Sequence, residues 1–118
     1  MRRLRAAGAA LALSIAITAC SDSGTGGEAI GIVATQTECR VAQTELTSRK
    51  QSFRVDNQGS DVTEVYVYAK GDKVVAEKEH IGPGTQATFS VTLGPGEYEV
   101  ACKPGERGTG IRQKITVA

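Results

Sequence analysis

Gln86-Ala87-Thr88-Phe89-Ser90-Val91-Thr92-Leu93, stopped by Gly94-Pro95-Gly96, decides the class of fold. Ala87, Phe89, Val91 and Leu93 take every second position with polar residues between them, the two-residue period of a strand with one buried face. Proline has no amide hydrogen to give a ladder, so the strand ends there. Outward from it the same pattern recurs. Phe53 and Val55 alternate with Ser52, Arg54 and Asp56 before the turn residues Asn57-Gln58-Gly59-Ser60. Val65 and Val67 alternate with Tyr66 and Tyr68 up to Lys70-Gly71-Asp72, and residues 73–79 run to Ile81-Gly82-Pro83-Gly84. Downstream, Tyr98, Val100 and Cys102 share one parity, Glu97, Glu99 and Ala101 the other, and Ile111, Ile115 and Val117 share a face. Residues 30–35 and 39–46 complete about eight strands, and no stretch sustains a helical period. The spacing predicts an all-β, Greek-key β-sandwich or barrel.

Composition agrees. In 118 residues there are 14 Gly, two Phe, three Tyr and no Trp, so one domain with a core of small aliphatic side chains is expected, without a large interdomain cleft. Without Arg2, Arg3 and Arg5 the 14 basic residues fall to 11 against 13 acidic, a balance of about −2. That excludes a basic nucleic-acid binder.

Residues 1–19 read as a signal peptide: a charged start, then an apolar run over 6–19 that is too short for the roughly 20 residues of a membrane span. Ile17-Thr18-Ala19-Cys20 resembles the bacterial lipoprotein signal. The resemblance implies that Cys20 becomes the mature N-terminus and carries acyl chains, palmitate among them; a plain secretory signal with a cysteine nearby is the alternative. Several chains on one residue give stable anchoring where one is marginal. Residues 20–28 then form the lipidated cysteine and a Gly-rich tether, whose seven residues 21–27 span on the order of 15 Å, and 29–118 form the domain. The domain is expected outside the cytoplasm, at the cell membrane on the periplasmic side of the envelope.

With Cys20 assigned to lipid, Cys39 and Cys102 remain in a compartment that permits disulfides. A disulfide is the simplest use of an even pair; a thiolate metal site is the other. Cys102 ends an alternating strand and enters a Gly-rich loop over 103–112. Glu64 starts another strand, on the parity of Tyr66 and Tyr68, as a solvated charge or a carboxylate reaching the same rim.

Asn57-x-Gly59 and Gly96-Glu-Tyr-Glu-Val-Ala-Cys-Lys-Pro104 resemble cupredoxins, whose copper is held by two His, a Cys and usually a Met. Here Gly105 stands where a ligand His would follow, Thr63-Glu64 where the first His would stand, and the chain has one His and one Met, Met1. A His₂Cys copper site cannot be assembled from one histidine. Thr63-Glu-Val-Tyr-Val-Tyr68, Ile81-Gly-Pro-Gly84, Leu93-Gly-Pro-Gly-Glu-Tyr98, Cys102-Lys-Pro-Gly105 and Gly108-x-Gly-Ile-Arg112 resemble the cupredoxin-like domain at the N-terminus of EfeO-type iron-uptake components. That resemblance covers nearly the whole mature chain. It implies a cupredoxin-like fold and a copper or iron ion held by Cys39, Glu64 and Cys102, with an iron permease or peroxidase component as partner. Family members commonly have Met where Glu106 stands, so a thioether is exchanged for a carboxylate that could act as a fourth ligand.

Glu77 and Glu79 could form a second carboxylate site or a solvated strand face, and His80 reads as a turn residue or a ligand. Arg112 could pair with Glu64 or Glu106. No catalytic constellation is visible, and ferrous oxidation at a copper site is the only enzymatic reading the residues leave. The alternative function is a disulfide-stapled structural or partner-binding β domain without metal. If Cys20 carries the anchor, Cys20→Ala moves the protein from the membrane to the soluble fraction in cell fractionation; retention in the membrane would contradict the lipoprotein reading.

Overall fold

In the computed structural model, which describes residues 28–47 and 49–118, the alternating stretches form nine strands among the described residues. They are β1 (Ile30–Ala34), β2 (Cys39–Val41), β3 (Glu45–Leu46), β4 (Lys50–Asn57), β5 (Thr63–Ala69), β6 (Lys73–Ile81), β7 (Gln86–Thr92), β8 (Gly96–Pro104) and β9 (Ile111–Val117). Of the signal segment and tether expected over 1–28, residues 1–27 lie outside the described residues. One sheet has the order β2-β1-β4-β7 and the other β3-β9-β8-β5-β6. Both are mixed, since β1 pairs parallel with β4 and β3 parallel with β9. The fold is all-β, as the periodicity predicts.

The expected strand over 39–46 is instead two short strands in different sheets. Cys39–Val41 pairs with β1, and Glu45–Leu46 pairs with β9. Between them the chain crosses from one layer to the other, held by Ala42 N donating to Gly31 O at 2.9 Å and Thr116 N donating to Thr44 O at 2.8 Å. A strand that changes sheets keeps its apolar alternation, so the break leaves no mark on the periodicity.

The core lies between the sheets. Phe53, Ile32, Val65, Val67, Val100 and Ile115 are fully buried. Phe53 faces Phe89 across the β4–β7 ladder, their rings 5.4 Å apart. Ala87, Phe89 and Val91, whose alternation identifies the class, pack against this cluster as partly buried residues.

Asn57 fixes the entry into β5. Its buried side chain donates to Asp61 O at 2.8 Å and Ile81 O at 2.9 Å, and its Oδ1 accepts from Gly59 N at 2.9 Å. One side chain thus ties the turn after β4 to the end of β6. Asn57→Ala removes three hydrogen bonds and strands a buried carbonyl, so it should cost about 2–3 kcal/mol in urea unfolding. Asp61→Ala, at an exposed side chain of the same turn, should stay within about 0.5 kcal/mol. Equal effects would contradict the role given to Asn57.

Candidate functional site

The site is set by the register of β5 against β8. Thr63 opposes Pro104, Glu64 opposes Lys103 and Val65 opposes Cys102. Residues directly opposite in an antiparallel ladder share a face, and neighbours along a strand take opposite faces. Cys102 therefore points into the core with Val65, while Glu64 and Lys103 point out.

From the other sheet Cys39 meets Cys102 in a disulfide, with Cα atoms 5.4 Å apart and a separation of 63 positions in sequence. Cys102 is fully buried and Cys39 nearly so. The bond links the two layers, and in the chain-entropy model a loop of this length is worth about 4 kcal/mol. The structure brings Cys39 and Cys102 together, as the simpler use of the pair would have it, and leaves Glu64 on the opposite face of the sheet. The three residues of the expected ligand set do not converge. A carboxylate two positions before Tyr66 shares that tyrosine's face and so cannot also face Cys102.

Nor do the residues fit a His₂Cys copper centre. The chain's one histidine, His80, has a side chain 76% exposed at the end of β6, and Cys102 is in the disulfide. Among the described residues, no three His, Cys, Asp or Glu side chains are arranged to hold a metal ion as they stand.

The chemistry gathers on the outer face. Glu64 is only 9% exposed, and among the described residues its carboxylate has no hydrogen bond and no ion pair at contact distance. Burial raises its pKa; Lys103 opposes that, and Glu106, Glu79 and Glu77 add to it. Tyr66 beside it is pushed up to about 12 by burial and then by Glu64, Glu77 and Glu79. Its hydroxyl donates to Glu79 Oε1 at 3.3 Å. Lys103 Nζ stands 3.9 Å over the Tyr66 ring, which stacks on Tyr68 at 5.6 Å. The lysine is thereby held over an aromatic face and forms no ion pair at contact distance with the carboxylate next to it.

Two irregularities bring further acids to Glu64. In the β5–β6 ladder Thr63 opposes Ile81 and Val65 opposes Lys78, so both Glu79 and His80 stand opposite Glu64 in a bulge. After β8 a tight turn, with Gly105 N donating to Val62 O at 2.8 Å and Glu106 N to Lys103 O at 2.9 Å, folds Glu106 back to the same corner. Glu106 Oε1 accepts from His80 N at 2.9 Å and lies 2.7 Å from His80 Nδ1. Glu77 opposes Tyr66, so the second acidic pair suggested by the sequence, Glu77 and Glu79, belongs to this corner. Arg112 does not pair with Glu64 or Glu106. It reaches Asp72 at 2.6 Å and Glu99 at 3.5 Å, over the Tyr68 ring.

Two residues of the site are not singled out by the sequence reading. Lys103 follows Cys102 and so has the outer parity, a signal open to inspection once the cysteine's side is known. Thr63 faces inward, and its hydroxyl is buried without a hydrogen-bond partner. Nothing in its sequence context marks that.

The raised pKa of Glu64 has a definite sign in stability. The folded state holds a proton that the unfolded state releases, so stability falls as pH rises from the ordinary carboxyl range, about pH 4, through the folded value. With chelator present, Glu64→Gln should be more stable than wild type at pH 7, and the gain should vanish below about pH 4 in denaturant titrations. A variant less stable at pH 7 would contradict the unpaired state of this carboxylate.

Comparison with known proteins agrees with this fold. A family model described as a cupredoxin-like domain matches residues 7–117. The iron uptake system component EfeO of Escherichia coli strain K12 is 29% identical over 73 residues, which cover 62% of this chain and 19% of the relative, and EfeO of Shigella flexneri matches equally. The chain thus spans about a fifth of the length of these curated relatives. Among solved structures, dithionite-reduced auracyanin from the photosynthetic bacterium Roseiflexus castenholzii superposes with a TM-score of 0.57 at 17% identity, over 75% of this chain and 94% of that one. Auracyanin B gives 0.60 at 17% identity, over 76% and 88%. With its two mixed β layers and a match from residue 7 to residue 117, this chain belongs to the cupredoxin-like domain family.

Proposed function

We propose that this protein is a lipid-anchored, extracytoplasmic metal-handling domain that assists iron uptake, and that Glu64 is its contact with the ion while the Cys39–Cys102 disulfide stays closed. The observation that carries the reading is Glu64, a residue nine-tenths buried, whose carboxylate has no hydrogen bond among the described residues and is raised in pKa by burial and by Glu106, Glu79 and Glu77, against Lys103. A buried charge is costly unless it is paired or coordinates a metal. Here the nearest cation is turned onto a tyrosine ring instead. Carboxylate oxygens suit a hard ion, iron or Cu(II), better than Cu(I).

Similarity to the iron-uptake component EfeO supports iron uptake as the setting, and the lipoprotein-like Ile17-Thr18-Ala19-Cys20 supports a membrane anchor. On a tether of about 15 Å the domain would work close to the membrane surface. Its partner would be an iron permease or a peroxidase component of the same system. The work assigned to it is binding and release of an ion, which needs no catalytic residue.

A second reading is favoured by the unbonded hydroxyl of Thr63, which faces inward on the same side of β5 as Val65 and thus on the side of Cys102. If a dithiol reduced the disulfide, taking the oxidised form itself, Cys39 and Cys102 would offer two thiolates to a soft Cu(I) ion.

The two readings separate in one titration. The full chain, oxidised and stripped with chelator, is titrated with Fe(II) without oxygen and separately with Cu(II). Wild type should take up one ion, and Glu64→Gln should bind it at least about tenfold more weakly. Equal binding, or none, would overturn the Glu64 reading. Uptake of Cu(I) only after reduction would then point to the thiolate pair, and no uptake in either state to a disulfide-stapled partner-binding module.

A further inference from the structure

A strand at the edge of a sheet leaves a row of backbone N–H and C=O groups open to another strand, and natural edges are usually blunted by lysine, proline or a bulge. β6 and β7 are the last strands of the two sheets and are joined by the turn over 82–85, yet they differ in this respect. β6 carries Lys73 and Lys78, and its ladder with β5 is broken by two register shifts. β7, Gln86-Ala-Thr-Phe-Ser-Val-Thr92, has no charge and no proline, and its register with β4 is unbroken from end to end. Among the described residues no strand pairs with its other side.

The ladder shows which groups that open side presents. Asn57 N donates to Thr85 O at 3.0 Å and Leu93 N to Arg49 O at 2.7 Å, so Thr85 and Leu93 point their backbone groups at the β4 side. Backbone groups alternate sides along an antiparallel strand. Those of Ala87, Phe89 and Val91 therefore point to β4 as well, and those of Gln86, Thr88, Ser90 and Thr92 point away from it. Ala87, Phe89 and Val91 lie on the inner face and are only partly buried, while the four polar residues are exposed on the outer face.

We infer that β7 is a self-pairing edge, at which a second copy of this chain adds its own β7 antiparallel and joins two β2-β1-β4-β7 sheets into one. The inference goes beyond the proposed ion contact and uses none of its residues. With Phe89 on the two-fold axis the strands overlap over their whole length. Gln86 then opposes Thr92 of the second copy, Thr88 opposes Ser90 and Ala87 opposes Val91. Outward-pointing backbone groups meet outward-pointing ones, in the alternation that an antiparallel ladder needs. On the inner face the two Phe89 side chains meet in a non-hydrogen-bonded pair, the closer kind, and extend the Phe53–Phe89 stack. On the outer face hydroxyl meets hydroxyl, and no charge faces a like charge.

A slip of one residue would set apolar side chains against polar ones and outward-pointing groups against groups already bonded to β4. A second copy meets these requirements by symmetry, because the same patch serves both sides of a two-fold contact. Seven paired residues and one aromatic contact bury less than a permanent dimer does, so the association is weak and depends on concentration.

Sedimentation equilibrium tests this on the full chain, in a mild detergent that covers the apolar run over 6–19. Wild type should show a reversible monomer–dimer equilibrium between micromolar and millimolar concentration. Thr88→Glu with Ser90→Glu sets acid against acid across the axis and should weaken the dimer at least about tenfold. Thr88→Glu with Ser90→Lys sets acid against base and should restore it. A thermal unfolding curve establishes that each variant is folded. In wild type, amide hydrogen exchange at Thr88 and Ser90 should slow as concentration rises, while that at Ala87 and Phe89 should not change. A chain that is monomeric at every concentration overturns the inference and leaves the edge to a strand of another protein. A dimer that the two acids leave intact, or that the acid–base pair fails to restore, overturns it as well, by placing the contact or its register elsewhere.

Discussion

The pairing of Val65 with Cys102, and therefore of Glu64 with Lys103, governs everything that this domain can do with its reactive groups. Alternation along β5 and β8 then leaves no choice: sulfur goes inward and the carboxylate outward. Inward, Cys102 meets Cys39 from the other sheet, and the disulfide couples the two layers. With a core of small aliphatic residues and a single stacked phenylalanine pair, that cross-link is a large fraction of the 5–15 kcal/mol that hold a domain folded. Outward, the sheet surface carries the acids.

That surface separates its charges in an uncommon way. The two cations at its centre, Lys103 and Arg112, lie over Tyr66 and Tyr68. Arg112 also satisfies Asp72 and Glu99, at the end of the face away from Glu64. Among the described residues Lys103 forms no ion pair at contact distance. At the other end stand four carboxylates, Glu64, Glu77, Glu79 and Glu106, of which Glu79 and Glu106 contact the one histidine. The imbalance is local, since the chain as a whole is close to neutral. A cupredoxin-like fold thus presents an oxygen-rich corner on its outer face instead of a His₂Cys centre within.

The strands were legible because Gly and Pro punctuate them and apolar residues alternate within them, most clearly from Ala87 to Leu93. Residues 39–46 misled because a strand that changes sheets keeps its period. Parity placed Glu64 beside Tyr66 and Tyr68 correctly. Its side relative to Cys102 was not legible, because parity within one strand says nothing of the register against another. Contacts made across distant segments were hidden for the same reason: His80 with Glu106 is 26 residues apart and Arg112 with Asp72 is 40. The resemblance gave the fold, and the even cysteine count gave the disulfide as one of two uses of the pair; neither could show that a disulfide leaves Glu64 outside.

The central claim is that the closed disulfide and the bound ion coexist, on opposite faces of one sheet. A native mass spectrum of the iron-loaded protein tests it most directly, because oxidation of two thiols lowers the mass by about two units, resolvable beside the mass of the ion. The metal-bound species should carry the mass of the oxidised chain plus one ion. Iron found only on chains with both thiols reduced would contradict the claim and return Cys39 and Cys102 to the ligand set.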